Sequence, residues 1–392
     1  MSRILVFCAL ILVFIACRNT AIQQREAEKI ISEIKQLYAP DTREAIFSVE
    51  LKGNILKGEM SSPEAKSDLL AKLKESDIEL TDSTVVLPDL SVGPGCWGLI
   101  TISVGNVRTA PGHDAEMSTQ AILGTPVKIF KKTKEWFLIQ TPDNYIGWID
   151  QPAVFQTDQA GLANWKRGER VIYLPDFGLG FSQADSSCVA DLAAGSILKK
   201  KGLFKKSNYL VELPDGREFI IPIHSALDFN LWSTQKEPSG VELTTLAKSY
   251  MGRPYLWGGT SVRGMDCSGF TKTLFFQKGI ILARDASLQF KYGEITPPSS
   301  GYKDLKAGDL VFFGPTKEGV SRATHVGMYI GDSEYIHSSG FIRINSFDPA
   351  RSNFSQKRLD AWLGGRRILG HQGKEGIVKV AEHPWYFELT EK

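Results

Sequence analysis

The chain has 392 residues, with 46 lysines and arginines against 44 aspartates and glutamates, so its formal net charge is only +2. This balance argues against a nucleic-acid-binding protein, which would carry a concentrated basic surface. The length allows two or three domains, and the hydrophobic fraction of 42% is ordinary for a globular protein. The short basic run at 199–201 has no interleaved aromatic residues, and we interpret it as a solvated loop.

The first residues have the pattern of an export signal. Arg3 precedes an apolar run, residues 4–15, which is short for a membrane span and has the length of a signal-peptide core. Cys17 follows a small residue, as at a lipoprotein cleavage site where the cysteine is acylated and becomes the new N-terminus. An ordinary cleaved signal is the alternative. In both cases we expect residues 1–17 to direct export, to the periplasm or to a membrane-anchored lipoprotein.

Residues 21–90 predict a small α+β lead-in without a catalytic motif. Residues 21–37 are compatible with a polar helix, and residues 46–51 alternate as a strand does. Ser62 and Pro63 form a good helix start, because serine caps free amides and proline suits the first turn.

Two β-rich units should follow. Residues 95–155 contain short strands separated by turns and end in a Gly-Trp pair, which resembles a bacterial SH3-like barrel. Residues 160–230 look like a second, more divergent copy, in which 208–213 and 217–222 flank a Pro-Asp-Gly turn as a hairpin. Barrels of this size usually bind a ligand or cover a neighbouring domain, and the sequence does not choose between these roles.

A stretch near the start of the last unit carries nucleophilic chemistry. An apolar segment closes with Gly258-Gly259, and Cys267 comes where a helix should begin, with apolar residues at helical spacing after it. Asp266 or Ser268 could cap this helix. Because the N-terminus of a helix is positive, the dipole should favour the thiolate of Cys267 over its thiol.

Two histidines farther along the chain can supply a base and an orienting group. Residues 323–330 and 335–338 alternate as the strands of a hairpin, so His325 and His337 should lie on neighbouring strands. Cysteine catalysis needs a base within hydrogen-bond distance and a third group that orients it. Cys267, His325 and His337 can take these three roles in that order.

Together with the Tyr-x-Trp-Gly-Gly sequence at 255–259, these residues resemble the NlpC/P60 family of papain-like cysteine peptidases over residues 240–370. The resemblance implies an α+β fold: a short lead-in, two small SH3-like β-barrels and a papain-like catalytic domain. It implies that Cys267 attacks a carbonyl, that His325 is the general base and later the acid, and that His337 orients it. The amide of Cys267 and the hydroxyl of Tyr255 are alternative donors to the oxyanion.

The resemblance also implies a substrate. Family members with two SH3-like domains hydrolyse the bond between γ-linked D-glutamate and an L-diamino acid in cell-wall peptides with a free N-terminal L-alanine. We therefore expect a recycling endopeptidase whose partners are murein-derived peptides. A buried ammonium requires a carboxylate, and Asp285 is the leading anchor. When the motifs of this sequence are matched with those of the family, the resemblance implies seven substrate-binding residues: Glu116, Tyr145, Trp257, Ser268, Asp285, Ala286 and Ser287.

Two other functions stay open. The first is a lytic endopeptidase or amidase that acts on intact peptidoglycan, and the second is a non-catalytic wall-binding protein. An open cleft would favour the lytic enzyme, whereas a cleft closed by Glu116 and Tyr145 would favour small free peptides.

The remaining cysteines and histidines predict no cofactor. No cluster has the spacing of a zinc site, so we expect neither a metal nor an organic cofactor. Cys96 and Cys188 could form a disulfide in an exported protein or stay as two free thiols. We expect a monomer that contacts a membrane only through a lipid on Cys17.

Overall fold

The computed structural model describes residues 22–388. The chain divides into two compact units, with the boundary between Gly93 and Pro94. The predicted signal, residues 1–17 with Cys17, lies outside the described residues. Within the described range, no helix is both long and apolar enough to cross a membrane.

The first unit packs two helices against a three-stranded sheet. Strand β2 is central, antiparallel to β1 and parallel to β3. As predicted, Ser62 caps α2, and its hydroxyl accepts the Ala65 amide at 3.0 Å. The elements are α1 (22–38), β1 (Glu50–Lys52), β2 (Ile55–Met60), α2 (Pro63–Glu75) and β3 (Thr81–Val86).

The strand predicted at 46–51 is confirmed in part: regular pairing begins only at Glu50, but the Ser48 amide donates to the Glu59 carbonyl at 2.8 Å and the Ser61 amide to the Ile46 carbonyl at 2.9 Å. Between these two parts the chain lies close to Gly58 of β2, where an added Cβ would lie 2.0 Å from the Ser48 carbonyl oxygen. The regular ladder is interrupted there and leaves an isolated antiparallel bridge between Phe47 and Met60.

The second unit begins with a seven-stranded antiparallel sheet in the order β10-β4-β7-β8-β9-β5-β6. Alternating apolar residues such as Val127 and Ile129 are completely buried on its inner face. The strands are β4 (Trp97–Ile100), β5 (Val104–Arg108), β6 (Met117–Ile122), β7 (Pro126–Lys132), β8 (Trp136–Gln140), β9 (Ile146–Asp150) and β10 (Val154–Thr157).

Helix α3 (Gln159–Arg167) leads into a second seven-stranded sheet. Its strands are β11 (Arg170–Tyr173), β12 (Phe177–Phe181), β13 (Cys188–Ala193), β14 (Ile197–Phe204), β15 (Asn208–Glu212), β16 (Glu218–Pro222) and β17 (Ala226–Asp228). Their order, β17-β11-β14-β15-β16-β12-β13, repeats that of the first sheet strand for strand. The hairpin predicted around the Pro-Asp-Gly turn is confirmed as β15 and β16.

The rest of the chain packs helices on a six-stranded sheet in the order β21-β28-β22-β25-β26-β27. Its helices are α4 (Phe229–Ser233), α5 (Gly240–Ser249), α6 (Cys267–Phe276), α7 (Ala286–Gln289) and α8 (Gln356–Asp360). The sheet strands are β21 (Glu294–Thr296), β22 (Leu310–Phe313), β25 (His325–Gly331), β26 (Glu334–Ser339), β27 (Phe341–Ser346) and β28 (Trp362–Arg367). The short pairs are β18 (Thr260–Ser261) with β19 (Gly264–Met265), β20 (Ile280–Leu282) with β29 (Ile377–Lys379), and β23 (Thr316–Lys317) with β24 (Val320–Ser321).

Helix α6 lies against this sheet. Phe270 and Leu274 on the helix share a buried core with Val326 and Ile336 on the strands. The predicted fold class is therefore confirmed: a β-rich region precedes an α+β region in which a helix begins with the candidate nucleophile. Cys96, Cys188 and Cys267 are free cysteines in the described part of the chain.

Candidate active site

Cys267 is the first residue of α6, and Asp266 is its N-cap. The Asp266 carboxylate accepts the Gly269 amide at 2.7 Å, which settles the cap in favour of one of the two predicted residues. Its second oxygen accepts the Gly258 amide at 3.1 Å, so the Gly-Gly turn is tied to the start of the helix. The nucleophile is therefore held at a fixed helix end.

A buried arginine links this helix end to the first seven-stranded sheet. Arg284 is 1% exposed and donates to Asp266 at 2.5 Å and to the Ser268 hydroxyl at 3.0 Å. Its Nε donates to Thr119 Oγ1 on β6 at 3.0 Å. Burial alone would lower the pKa of Arg284, but pairing with Asp266 raises it. The predicted substrate residue Ser268 is thus buried and already bonded within the protein.

The predicted hairpin is confirmed and brings the two histidines together. Strands β25 and β26 are antiparallel neighbours, and His325 Nε2 lies 2.6 Å from His337 Nδ1. Gly327 leaves room for this contact, since a Cβ at that position would lie 3.0 Å from the Cβ of His337. A larger residue at Gly327 would therefore contact the Cβ of His337 and require a small shift there.

A chain of hydrogen bonds assigns the tautomers of the two histidines. The Asn345 side-chain nitrogen donates to the Asn353 carbonyl at 2.7 Å, so the Asn345 oxygen faces His337 Nε2, 2.8 Å away. His337 Nε2 donates to that oxygen, which leaves His337 Nδ1 to accept the proton of His325 Nε2. The other nitrogen of neutral His325, Nδ1, then carries the lone pair of a general base.

Cys267 lies beside the strand that carries this base. The amide of Val326, the residue after His325, donates to the Cys267 sulfur, as does the amide of Ser268. Burial nevertheless raises the pKa of the Cys267 thiol to about 11, and the charge of Asp266 adds to the rise. The expected preference for thiolate is therefore wrong: loss of solvent outweighs the backbone amides and the charge of Arg284, which favour the thiolate.

The base is neutral at rest for the same physical reason. Burial lowers the pKa of His325 well below its ordinary value, and the charges of His337, Arg358 and Arg343 lower it further. Burial also lowers the pKa of His337 to about 4, against a smaller opposing effect of its bond to Asn345. The neutral imidazole of His325, on the strand that packs against the helix of Cys267, can accept the thiol proton as the sulfur attacks a carbonyl.

Tyr255, one of the two predicted oxyanion donors, is half-buried near the nucleophile. Burial raises its pKa to about 12, and the charges of Cys267 and Asp266 contribute. The phenol is therefore protonated at neutral pH and can donate a hydrogen bond. The Cys267 amide remains the alternative predicted donor.

Four predicted substrate residues form two contacts between the first sheet and the catalytic region. The Tyr145 hydroxyl donates to Asp285 Oδ2 at 3.1 Å, and Trp257 Nε1 donates to Glu116 Oε1 at 2.6 Å. Tyr145 is 6% exposed, whereas the Asp285 side chain is 25% exposed. The Asp285 carboxylate thus accepts the Tyr145 hydroxyl at Oδ2, lies 3.9 Å from the Arg284 guanidinium through Oδ1, and is partly accessible to solvent.

The two remaining predicted residues lie in α7. Ala286 is its first residue and is buried, while Ser287 is partly exposed. Asp285 immediately precedes the helix as its N-cap residue. The side chains of Asp285 and Ser287 are therefore the accessible members of this stretch.

Sequence reasoning missed several residues that the structure places at the site. Asn345 sets the tautomer of His337, and Arg343 and Arg358 act electrostatically on both histidines. The alternation of 341–346 could have placed residues 343 and 345 on one face, but no motif marks them. Among residues 22–388, no group of three or more histidine, cysteine or acidic side chains could hold a metal ion.

Comparisons with known proteins agree with this geometry. Residues 252–363 match the sequence profile of the NlpC/P60 family, and residues 107–154 match the bacterial dipeptidyl-peptidase SH3 domain. The gamma-D-glutamyl-L-lysine dipeptidyl-peptidase of Bacillus cereus is 28% identical over 65% of this chain and 76% of its own length. Dipeptidyl-peptidase 6 of Lysinibacillus sphaericus is 26% identical over 66% of this chain and 94% of its own.

Two solved structures share the fold. The crystal structure of an NlpC/P60 family protein from Bacillus cereus covers 69% of this chain and 99% of its own, with a TM-score of 0.60 at 22% identity. An NlpC/P60 endopeptidase from Photobacterium damselae covers 93% of each chain, with a TM-score of 0.55 at 16% identity. The chain therefore carries an NlpC/P60 cysteine peptidase domain preceded by a bacterial dipeptidyl-peptidase SH3 domain.

Proposed function

We propose that this protein is a cysteine endopeptidase that hydrolyses the γ-D-glutamyl-L-diamino acid bond of cell-wall peptides with a free N-terminal L-alanine. The observation that supports it most is the contact between Tyr145 and Asp285, 3.1 Å long, which brings a first-sheet hydroxyl to a partly exposed carboxylate. A dipeptidyl-peptidase releases two residues from a free N-terminus and must therefore recognise an ammonium group. A carboxylate with a hydrogen-bonding neighbour is the chemistry that an ammonium needs.

In the proposed reaction Cys267 attacks the γ-carbonyl of D-glutamate while its proton passes to His325 Nδ1. The negative charge that develops on the carbonyl oxygen is stabilised by the Cys267 amide, the Tyr255 hydroxyl or both. The tetrahedral intermediate collapses to a thioester, and His325 returns the proton to the leaving amine. A water molecule, deprotonated by the same imidazole, then hydrolyses the thioester.

The relatives support the bond type, since two of them are named for γ-D-glutamyl-L-lysine dipeptidyl-peptidase activity. A role in recycling murein peptides is the biological setting that we propose for this activity. An export signal at residues 1–17 would place the enzyme in the periplasm, where such peptides are released.

Hydrolysis of L-Ala-γ-D-Glu-diaminopimelate beside its N-acetylated form tests the proposal, with Cys267→Ala as the inactive control. Cleavage of the free peptide alone, lost in the variant, is the expected result. Equal cleavage of both peptides would remove the ammonium-binding role and indicate a hydrolase of intact wall. Absence of cleavage together with binding to wall sediment would indicate a wall-binding protein.

A further inference from the structure

Two arginines lie on the histidine side of the site without an acidic partner. Arg343 is on β27 and Arg358 is on α8. Within residues 22–388 neither guanidinium forms an ion pair, although most arginines of the second unit do. Unpaired cations next to a catalytic pair require an explanation.

Strand pairing places Arg343 beside the orienting histidine. Arg343 and His337 are direct partners in the antiparallel ladder of β27 and β26. Direct partners project from the same face of a sheet, with Cβ atoms about 5 Å apart. The Arg343 side chain is exposed, and its guanidinium lies 5.6 Å from the centre of the Phe341 ring. Its charge is therefore available to a ligand.

Arg358 approaches the same region from α8. It donates to the Ser339 hydroxyl at 3.3 Å, and its guanidinium lies 5.6 Å from the centre of the Phe313 ring. That ring is 5.9 Å from the ring of His325. The side chain is partly buried, its charge interacts with Cys267, and burial lowers its pKa. A half-buried cation that also faces Arg343 is costly without an anion.

The proton transfer determines which part of a substrate meets these cations. His325 must reach the leaving amine to protonate it, so the leaving group lies on the histidine side of Cys267. The predicted ammonium anchor, Asp285, follows Arg284, which bonds Asp266 at the start of α6. The acidic anchor and the two arginines therefore belong to different elements of the site, since Asp285 precedes α7 and the arginines lie on β27 and α8.

We propose that Arg343 and Arg358 form a carboxylate subsite for the leaving diamino acid. The inference rests on the proposed function and specifies its substrate. The carboxylate has two sources: the main-chain carboxyl of a C-terminal diamino acid, and the side-chain carboxyl that diaminopimelate has and lysine lacks. The lysine side chain ends in an ammonium alone, which two arginines repel. Diaminopimelate peptides should therefore be preferred, in contrast to the L-lysine named for two relatives.

The test compares kcat/KM for six tripeptides of the form L-Ala-γ-D-Glu-X. The residue X is diaminopimelate, diaminopimelate amidated on its side-chain carboxyl, or L-lysine. Each of these three is prepared as the C-terminal acid and as the C-terminal amide. For the wild type we expect the diaminopimelate acid to exceed the lysine amide at least roughly tenfold, the value of one charge-assisted hydrogen bond. If kcat/KM falls when the side-chain carboxyl is amidated, the arginines bind the side-chain carboxylate. If kcat/KM falls when the C-terminus is amidated, they bind the main-chain carboxylate.

Arg343→Gln and Arg358→Gln should remove that preference, so that kcat/KM should fall at least roughly tenfold more for the diaminopimelate acid than for the lysine amide. Arg343→Lys and Arg358→Lys should retain part of the preference. Arg351→Gln is the matched control, because Arg351 is exposed and its partner is Glu334, 3.8 Å away. Equal wild-type rates on all six peptides would overturn the subsite. If kcat/KM fell equally for all six peptides in the glutamine variants, the subsite would also be overturned, and the arginines would act through the histidines. If the wild type cleaves none of the six, the proposed function fails and the subsite fails with it.

Discussion

The two seven-stranded sheets of the second unit have the same strand order but contact the catalytic region with different chemistry. The first sheet reaches the site through Thr119, which bonds the buried Arg284. The second sheet reaches the catalytic region through Asp191, which pairs with Arg263 at 2.5 Å, and both of these side chains are at least 40% exposed. The polar contact is therefore buried in the first copy and exposed in the second, whose buried contact with the catalytic region is apolar and includes Ala193.

Equivalent positions show where the two copies diverge. The residue before β6 is Glu116, which bonds Trp257, whereas the residue before β13 is Ser187, which bonds Asp185 in its own loop. Tyr145 precedes β9 and bonds Asp285 in the catalytic region.

The counterpart of Tyr145, before β16, is Arg217. It pairs with Asp215 of the same hairpin at 2.7 Å. Loop ends that reach the site in the first sheet therefore close on themselves in the second. We infer that the first sheet belongs to the functional site and the second to the scaffold.

The largest expected effect is the difference in the free energy of unfolding between loss of the buried Asp266–Arg284 pair and loss of the exposed Asp191–Arg263 pair. Arg284→Gln leaves the Asp266 carboxylate buried without its cation, which should cost about 3–5 kcal/mol in the free energy of unfolding. Arg263→Gln removes an exposed pair and should cost about 1 kcal/mol or less. Urea denaturation measures both values.

A double variant tests the reason for this difference. Asp266→Asn with Arg284→Gln removes both charges, and it should recover part of the stability lost in the single Arg284 variant. Similar losses for Arg284→Gln and Arg263→Gln would show that the buried Asp266–Arg284 pair stabilises the fold no more than the exposed Asp191–Arg263 pair.

The next effect concerns activity. Tyr145→Phe removes a hydrogen bond to a carboxylate, worth about 1.5–3 kcal/mol, so kcat/KM for the free-amine peptide should fall roughly tenfold to hundredfold. The counterpart variant Arg217→Gln should leave kcat/KM unchanged, because Arg217 bonds only within its own sheet among the contacts of residues 22–388. A comparable loss in both variants would contradict the assignment of the site to the first sheet.

Local sequence patterns predicted much of this molecule. The helix that begins at Cys267, the hairpin of His325 and His337, the Ser62 cap and the β15–β16 hairpin all follow from residues near one another in the chain. Each is specified by periodicity or turn chemistry, which a sequence displays directly.

The missed features depend on distant residues and on burial. Thr119 and Arg284 are 165 positions apart, and no motif connects them. The thiolate expectation for Cys267 considered the helix dipole, which is local, and could not include desolvation, which depends on the whole fold. The sequences around Arg343 and Arg358 are typical of an exposed surface. The two arginines come to lie beside the histidines only when β27 and α8 have packed in the folded protein.

The pH dependence of kcat/KM compares an acidic residue of the site, Asp285, with one of the second sheet, Asp191. Titration of a single group changes kcat/KM by about tenfold per pH unit. Because the pKa of His325 lies well below its ordinary value of 6.5, the base stays neutral and activity should persist as the pH falls below 6.5. Above pH ~8 the substrate amine loses its proton, so kcat/KM for the free peptide should fall. Asp285→Asn should flatten this alkaline fall, whereas Asp191→Asn in the second sheet should leave the profile unchanged. An unchanged profile in Asp285→Asn would separate this carboxylate from ammonium binding.

The smallest expected effect concerns the exposed contact of the first sheet. Trp257 is 61% exposed, and its indole nitrogen donates to Glu116 at 2.6 Å. Trp257→Phe keeps an aromatic wall and removes the donor, and an exposed hydrogen bond is worth about 1 kcal/mol, so kcat/KM should fall roughly threefold to fivefold. Glu116→Gln keeps an acceptor and removes the charge, so a larger loss in this variant would show that Glu116 acts on the substrate ammonium and does more than hold the indole. Equal small losses would limit Glu116 to positioning Trp257, and the ammonium site would then consist of Asp285 and Tyr145.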